Sequence, residues 1–155
     1  MIDRSDVDRL LAANRYLVLG TADEDGNPWV SPVFFAPLDA DHVVWVSSPD
    51  SRHSRNIATR AAVAITVFDS TVDVGKAEAA YFDAHAERAP RDEDEIQAAL
   101  RSFDARLPQH KRLSRDDLHP YGPMVLYRAK LRHRYLLVRG GNPEFGNELD
   151  MTVEV

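Results

Sequence analysis

HVVWVSSPDSRHSRNIATR, residues 42–60, is the stretch from which the fold is read. Val43, Val44, Trp45 and Val46 form a β-prone apolar run, and Ser48-Pro49-Asp50 breaks it. The chain restarts as a helix whose first turn carries Ser51, Arg52, His53, Ser54 and Arg55. A helix start leaves backbone N–H groups without partners and carries partial positive charge. Hydroxyls and a forked guanidinium in the same turn supply what a phosphate monoester needs, so the stretch reads as a phosphate cradle. The same residues also fit an ordinary capped helix with a solvated basic face. The run Ala62 to Phe68 then gives another strand, and Ile57 and Ala58 are expected to face inward.

Upstream, Ser5-Asp6-Val7-Asp8 has the pattern of a capping box, and Val7, Leu10 and Leu11 recur at helical spacing. Asn14 ends that helix. Tyr16 to Ala22 reads as a buried strand, and Glu24-Asp25-Gly26-Asn27 as the turn of a hairpin. The returning strand, Trp29 to Phe35, contains Pro32, which cannot donate to a central ladder and so marks an edge, a bulge or a break. Three strands, a helix and a fourth strand do not suit a parallel sheet, which needs a crossover at each step. An antiparallel barrel suits them.

Downstream, residues 72–89 permit either a helix or a long strand. Asp92 to Glu95 opens a helix with Ile96, Leu100, Phe103 and Leu107 on one stripe, stopped by Pro108. Ser114 to Asp117 reads as a capped helical turn. A metal site from His110, Asp116, Asp117 and His119 matches no helical ligand spacing, so no metal is expected. Met124 to Val138 reads as a strand pair or one bent strand. Lys130, Arg132 and Arg134 alternate along it and would share one basic face if the strand were regular. A solvated strand face or a dimer rim fits that pattern, and so does a site for an anionic substrate group. The final Met151 to Val155 suits an edge strand or a dimer contact.

The 155 residues predict one domain spanning 1–155. A formal net charge of -6 disfavours general nucleic-acid binding, and the lack of cysteine removes disulfides and thiolate chemistry. No apolar stretch reaches membrane-spanning length, and no leader pattern opens the chain, so a cytoplasmic protein is expected. No paired carboxylates and no serine-histidine-aspartate arrangement call for hydrolysis.

The segment D-S-R-H-S-R-N-I followed by Ala62 to Phe68 resembles the phosphate-binding segment of the pyridoxamine-phosphate-oxidase-like FMN-binding split-barrel family, and the order of elements resembles that family to about Val138. The resemblance implies a mainly β fold with a few α-helices: an antiparallel Greek-key split barrel, usually a homodimer that binds two FMN molecules between its subunits. It implies that residues 72–89 are strand. It also implies an FMN-dependent oxidoreductase acting on an unidentified small molecule. Ser47, Ser48, Ser51, Arg52 and His53 would then meet the ribityl chain or phosphate, with Arg55 and Asn56 as further candidates. Val30, Ser31, Pro32 and Val33 would lie along the isoalloxazine ring, and Lys130, Arg132 and Arg134 would be available to an anionic substrate. Members that oxidise pyridoxamine phosphate usually carry lysine at the position of His53 and arginine near Ser31, so that substrate is not implied. A deazaflavin on the same fold, or a non-enzymatic flavin-binding or dimerisation module, remain alternatives.

Overall fold

The computed structural model describes residues 1–118 and 122–155. Seven strands and three α-helices follow the order α1 (Arg4–Ala13), β1 (Tyr16–Ala22), β2 (Pro28–Pro37), β3 (His42–Ser47), α2 (Arg52–Thr59), β4 (Ala62–Phe68), β5 (Ala79–Arg88), α3 (Glu93–Asp104), β6 (Val125–Val138) and β7 (Met151–Glu154). All pairings are antiparallel. The sheet runs β3-β2-β1-β4-β5-β6-β7, and β3 also pairs with β6, which closes the first six strands into a barrel. Strands β1 to β3 form a meander, and β4 returns beside β1, the Greek-key order. β7 lies outside the closed ring as an edge strand on β6.

Alternation makes the barrel interior. Leu17, Leu19, Phe35, Trp45, Val67 and Phe82 point inward and are at most 2 % exposed. Helix α1 covers one end with Val7, Leu10 and Leu11. Its cap lies earlier than the sequence pattern indicated. Asp3 is the N-cap, accepting from the Ser5 N–H, and Asp6 accepts from the Asp3 N–H. The acidic pair three residues apart completes the box in place of Ser5 and Asp8.

Helix α3 packs outside the barrel, where Ile96, Ala99, Leu100 and Phe103 meet Ala36, Val44 and Leu126. It ends at Asp104, before Pro108, and Leu107 packs on this cluster from beyond the helix. Arg106, which nothing in the sequence singled out, donates to the carbonyls of Leu11, Asn14 and Phe35, joining the end of α1 to β2. Its guanidinium stacks on the Phe35 ring at 4.7 Å.

Three expectations need correction. Strand β5 starts only at Ala79, because Asp69 and the glycine at 75, with φ +86°, hold the preceding residues in turns. Ala58 is exposed, and Ser54 and Asn56 accompany Ile57 inward. β6 is one bent strand but not a regular one. Ala84 faces Leu131 and Asp83 faces His133, which leaves Arg132 as an extra residue in a β-bulge. The inward parity changes there, from Ala129 and Leu131 to Leu136 and Val138. Arg134 therefore leaves the face of Lys130. Its guanidinium bonds Asp41 Oδ1 at 2.6 Å and the Ala40 carbonyl.

Candidate functional site

β2 and β3 pair only over Phe35 to Pro37. Beyond Phe35 they diverge, β2 running on beside β1 to Pro28 and β3 running on beside β6 to Ser47. This split gives Pro32 its place. The Phe35 N–H donates to Arg15, and the register puts Pro32 opposite Val18. Antiparallel alternation then directs the backbone groups of Ser31 and Val33 at β1, and those of Val30 and Pro32 at the open side. Proline costs the ladder nothing there, so of the three sequence readings the edge is the one found. Val30, 65 % exposed, leaves its N–H and C=O without a strand partner on that side.

Across the split stands the start of α2. Ser51 is the N-cap, its Oγ accepting from the Ser54 N–H and donating to Ser54 Oγ at 2.8 Å. Among the described residues no hydrogen bond takes the N–H of Arg52 or His53. His53 Nε2 lies 2.9 Å from Ser47 Oγ and 3.2 Å from Ser51 Oγ, which draws the end of β3 and the helix cap together. Ser48 Oγ accepts from the Asp50 N–H in the turn between them. Burial lowers the His53 pKa below its ordinary value, so the ring is a neutral hydrogen-bonding group at neutral pH, not a cation. The positive charge of the cradle rests on Arg52 and the helix dipole.

Two contacts seat this helix start on the β1–β2 hairpin. The Arg52 guanidinium lies 4.3 Å from the centroid of the Trp29 ring, whose Nε1–H donates to Ser31 Oγ. Asn56 Nδ2–H donates to Thr21 Oγ1 at 2.9 Å, and both residues are buried. Thr21 and Trp29 are cross-strand partners, so both contacts converge at one end of the hairpin. A further bond runs from Arg60 to the Glu24 carbonyl. Gly26, at φ +85°, allows the turn that this contact needs.

Of the residues singled out from sequence, Ser47, Ser48, Ser51, Arg52 and His53 come together around the start of α2, and Val30, Ser31 and Pro32 lie on the open stretch of β2, whereas Val33 packs its side chain into the barrel core. Arg55 is exposed, and Asn56 turns into the barrel wall. Lys130 and Arg132 lie elsewhere. They line an outer cleft at the His42 end of β3, five residues or about 16 Å along the strand from Ser47. Sequence reasoning missed Trp29 and Thr21. An aromatic next to a hairpin turn was visible, but its pairing with Arg52 depends on the register. His119 lies outside the described residues. No group of three or more metal-ligating side chains is found among the described residues. No helix there is long and apolar enough to cross a membrane.

The donors fit a phosphate-bearing cofactor. Two unpartnered helix N–H groups, the hydroxyls of Ser47, Ser48 and Ser51, the His53 imidazole and the Arg52 guanidinium gather around the start of α2, and Arg52 reaches the Trp29 ring next to the open edge of β2. The fold defines an antiparallel split β-barrel protein. The family model described as pyridoxamine 5'-phosphate oxidase matches residues 4–133, and the chain belongs to that family. Among solved structures, HutZ, the heme storage protein of Vibrio cholerae, superposes with a TM-score of 0.68 at 21% identity, over 85% of this chain and 92% of that one. A FAD-binding protein of Mesorhizobium loti gives 0.66 at 20%, over 86% and 90%. A heme binding protein of Mycobacterium smegmatis gives 0.69 at 18%, over 99% of this chain and 59% of that one. At these identities the likeness concerns the fold. No curated protein sequence matches the chain.

Proposed function

We propose that the chain is an FMN-dependent oxidoreductase acting on a small molecule and working as a homodimer. The observation that carries this reading is the free start of α2, with Ser51, Arg52 and His53, next to the unpaired edge of β2. FMN would supply the hydride or electron transfer. The chain's own part is binding and orientation. The Arg52 and His53 N–H groups, the serine hydroxyls and the Arg52 guanidinium hold the phosphate. Val30 and Pro32 offer an N–H and two carbonyls to the polar edge of the ring, fixing its orientation without a charged side chain. Arg55, exposed on the next helical turn, adds positive field. Asn56 serves indirectly, by holding α2 to Thr21.

A shallow apolar depression of about 250 Å³ on the outer face of the barrel supports the dimer. Val18, Gly20, Val30, Ala64 and Tyr81 line it, and Val30 belongs to the open edge as well. A second copy packed there would cover the face and enclose the cofactor edge.

The test is an absorbance spectrum of the purified chain before and after incubation with FMN and desalting. Retained bands near roughly 370 and 450 nm establish a flavoprotein. Replacing Arg52 and His53 together by alanine is expected to weaken FMN binding at least tenfold. Unchanged affinity refutes the cradle. A retained deazaflavin spectrum keeps the site but changes the cofactor, and an intense heme band with no flavin overturns the reading.

A further inference from the structure

The outer cleft that receives Lys130 and Arg132 has a composition that its neighbours do not explain. It measures about 530 Å³ and is lined by His42, His85, Glu87, Arg128, Lys130 and Arg132. The register builds it. His42, Lys130 and His85 sit side by side on β3, β6 and β5, and Arg128 and Glu87 pair in the next outward row. The bulge contributes as well, keeping Arg132 at the cleft while Arg134 turns away to Asp41.

The charges in it are unbalanced. The one lining carboxylate, Glu87, is taken by Arg128 at 2.6 and 2.8 Å, and Arg128 also meets Glu95 of α3. Among the described residues, the side chains of Lys130, Arg132 and His85 have no hydrogen-bond or ion-pair partner. The His42 ring is held by Nδ1 against Asp39, at 2.9 and 3.1 Å, so it enters the cleft in a fixed orientation. A solvated strand face in a chain of net charge -6 would ordinarily place carboxylates beside such cations. This face is concave and leaves them bare.

We propose that this cleft is a second ligand site, separate from the cofactor cradle, that binds a small multiply charged oxyanion: a phosphate ester or a polycarboxylate. Lys130 supplies a mobile point charge and Arg132 a planar fork for two oxygens. The two imidazoles flank Lys130 and hydrogen-bond the remaining oxygens. The Arg128–Glu87 pair forms a wall whose charge is already satisfied. The volume falls within the range of small-molecule sites.

The experiment is calorimetric titration of the full chain with pyrophosphate and, separately, with citrate in low-salt buffer. Saturable binding is expected, weakening as salt is raised. The K130Q/R132Q variant removes two exposed charges, and circular dichroism checks that it folds. It should bind at least tenfold more weakly, and the same loss should follow when both titrations are repeated with excess FMN present to occupy the cradle. Pyrophosphate alone binding identifies a phosphate ester, citrate alone a polycarboxylate, and both the shared oxyanion chemistry. Absence of saturable binding by either anion overturns the proposal. So does equal affinity in K130Q/R132Q, or loss of binding when FMN is present, which would place the anion at the cradle. If FMN does not bind, excess of it leaves the titration unchanged, so failure of the cofactor reading leaves this one standing.

Discussion

Asn56→Ala removes the amide that ties α2 to the hairpin. Asn56 and Thr21 are each 5 % exposed, and their side chains form one hydrogen bond of 2.9 Å. Water cannot replace the lost partner easily, so the Thr21 hydroxyl is left stranded at a cost of about 1–3 kcal/mol. With 155 residues and about 2.1 cal/mol/K of unfolding entropy per residue, a loss of about 2 kcal/mol lowers Tm by roughly 6 °C. Thr21→Val strands the Asn56 amide instead and should cost about 1–2 kcal/mol. The double variant leaves neither group unsatisfied. Its loss should fall short of the sum of the single losses by about 1 kcal/mol. Urea unfolding of the four proteins, with m-values compared to confirm the same transition, measures this. If the single effects add to within about 0.3 kcal/mol, the bond contributes nothing and the account of how α2 is seated is wrong.

His53, lowered in pKa by burial, binds fewer protons folded than unfolded below its ordinary value of 6.5. It therefore permits full stability above that pH and loses it as pH falls through 6.5 toward the folded value. His53→Gln should flatten this part of the pH–stability curve, as followed by thermal melts. Arg106→Met leaves the Leu11, Asn14 and Phe35 carbonyls without their donor and should cost more than about 2 kcal/mol by urea unfolding, with a loss below about 0.5 refuting its role as a joint. At Gly140 an added Cβ would sit 2.4 Å from the Glu148 carbonyl oxygen. Gly140→Ala should thus force the loop before β7 apart, seen as increased amide exchange in β7 and the β6 residues it pairs, Tyr135 to Val138.

Much of the barrel was legible because it is written in local patterns. Strand β1, the Gly26 turn, α2 and the opening of α3 at its acidic run all follow from alternation, turn chemistry and helix-end charge within a few residues. Pro32 announced an interruption in pairing, and the structure shows an edge there, next to the Trp29 ring on which Arg52 rests. Where short-range signals competed, reading was less secure. At residues 72–78, composition left helix and strand open, and the structure has turns and irregular chain there. At Arg132 the alternation of basic residues looked regular, yet the strand accommodates one extra residue because its partner β5 spans the same distance in one fewer.

The candidate cradle was legible as a set of residue types. Its opposite wall and the seating of α2 were not, since Arg52–Trp29 and Asn56–Thr21 join residues that pairing brings together across 23 and 35 positions. By itself the sequence determined the elements, their apolar faces and the helix start with its hydroxyls and guanidinium, all consequences of period, propensity and capping. Only the tertiary structure decided that β2 parts from β3 at Phe35, that the bulge sends Arg134 to Asp41, and that Lys130 stands between two histidines. Those outcomes depend on which strands meet and in what register, a competition among long-range pairings that no local stretch encodes.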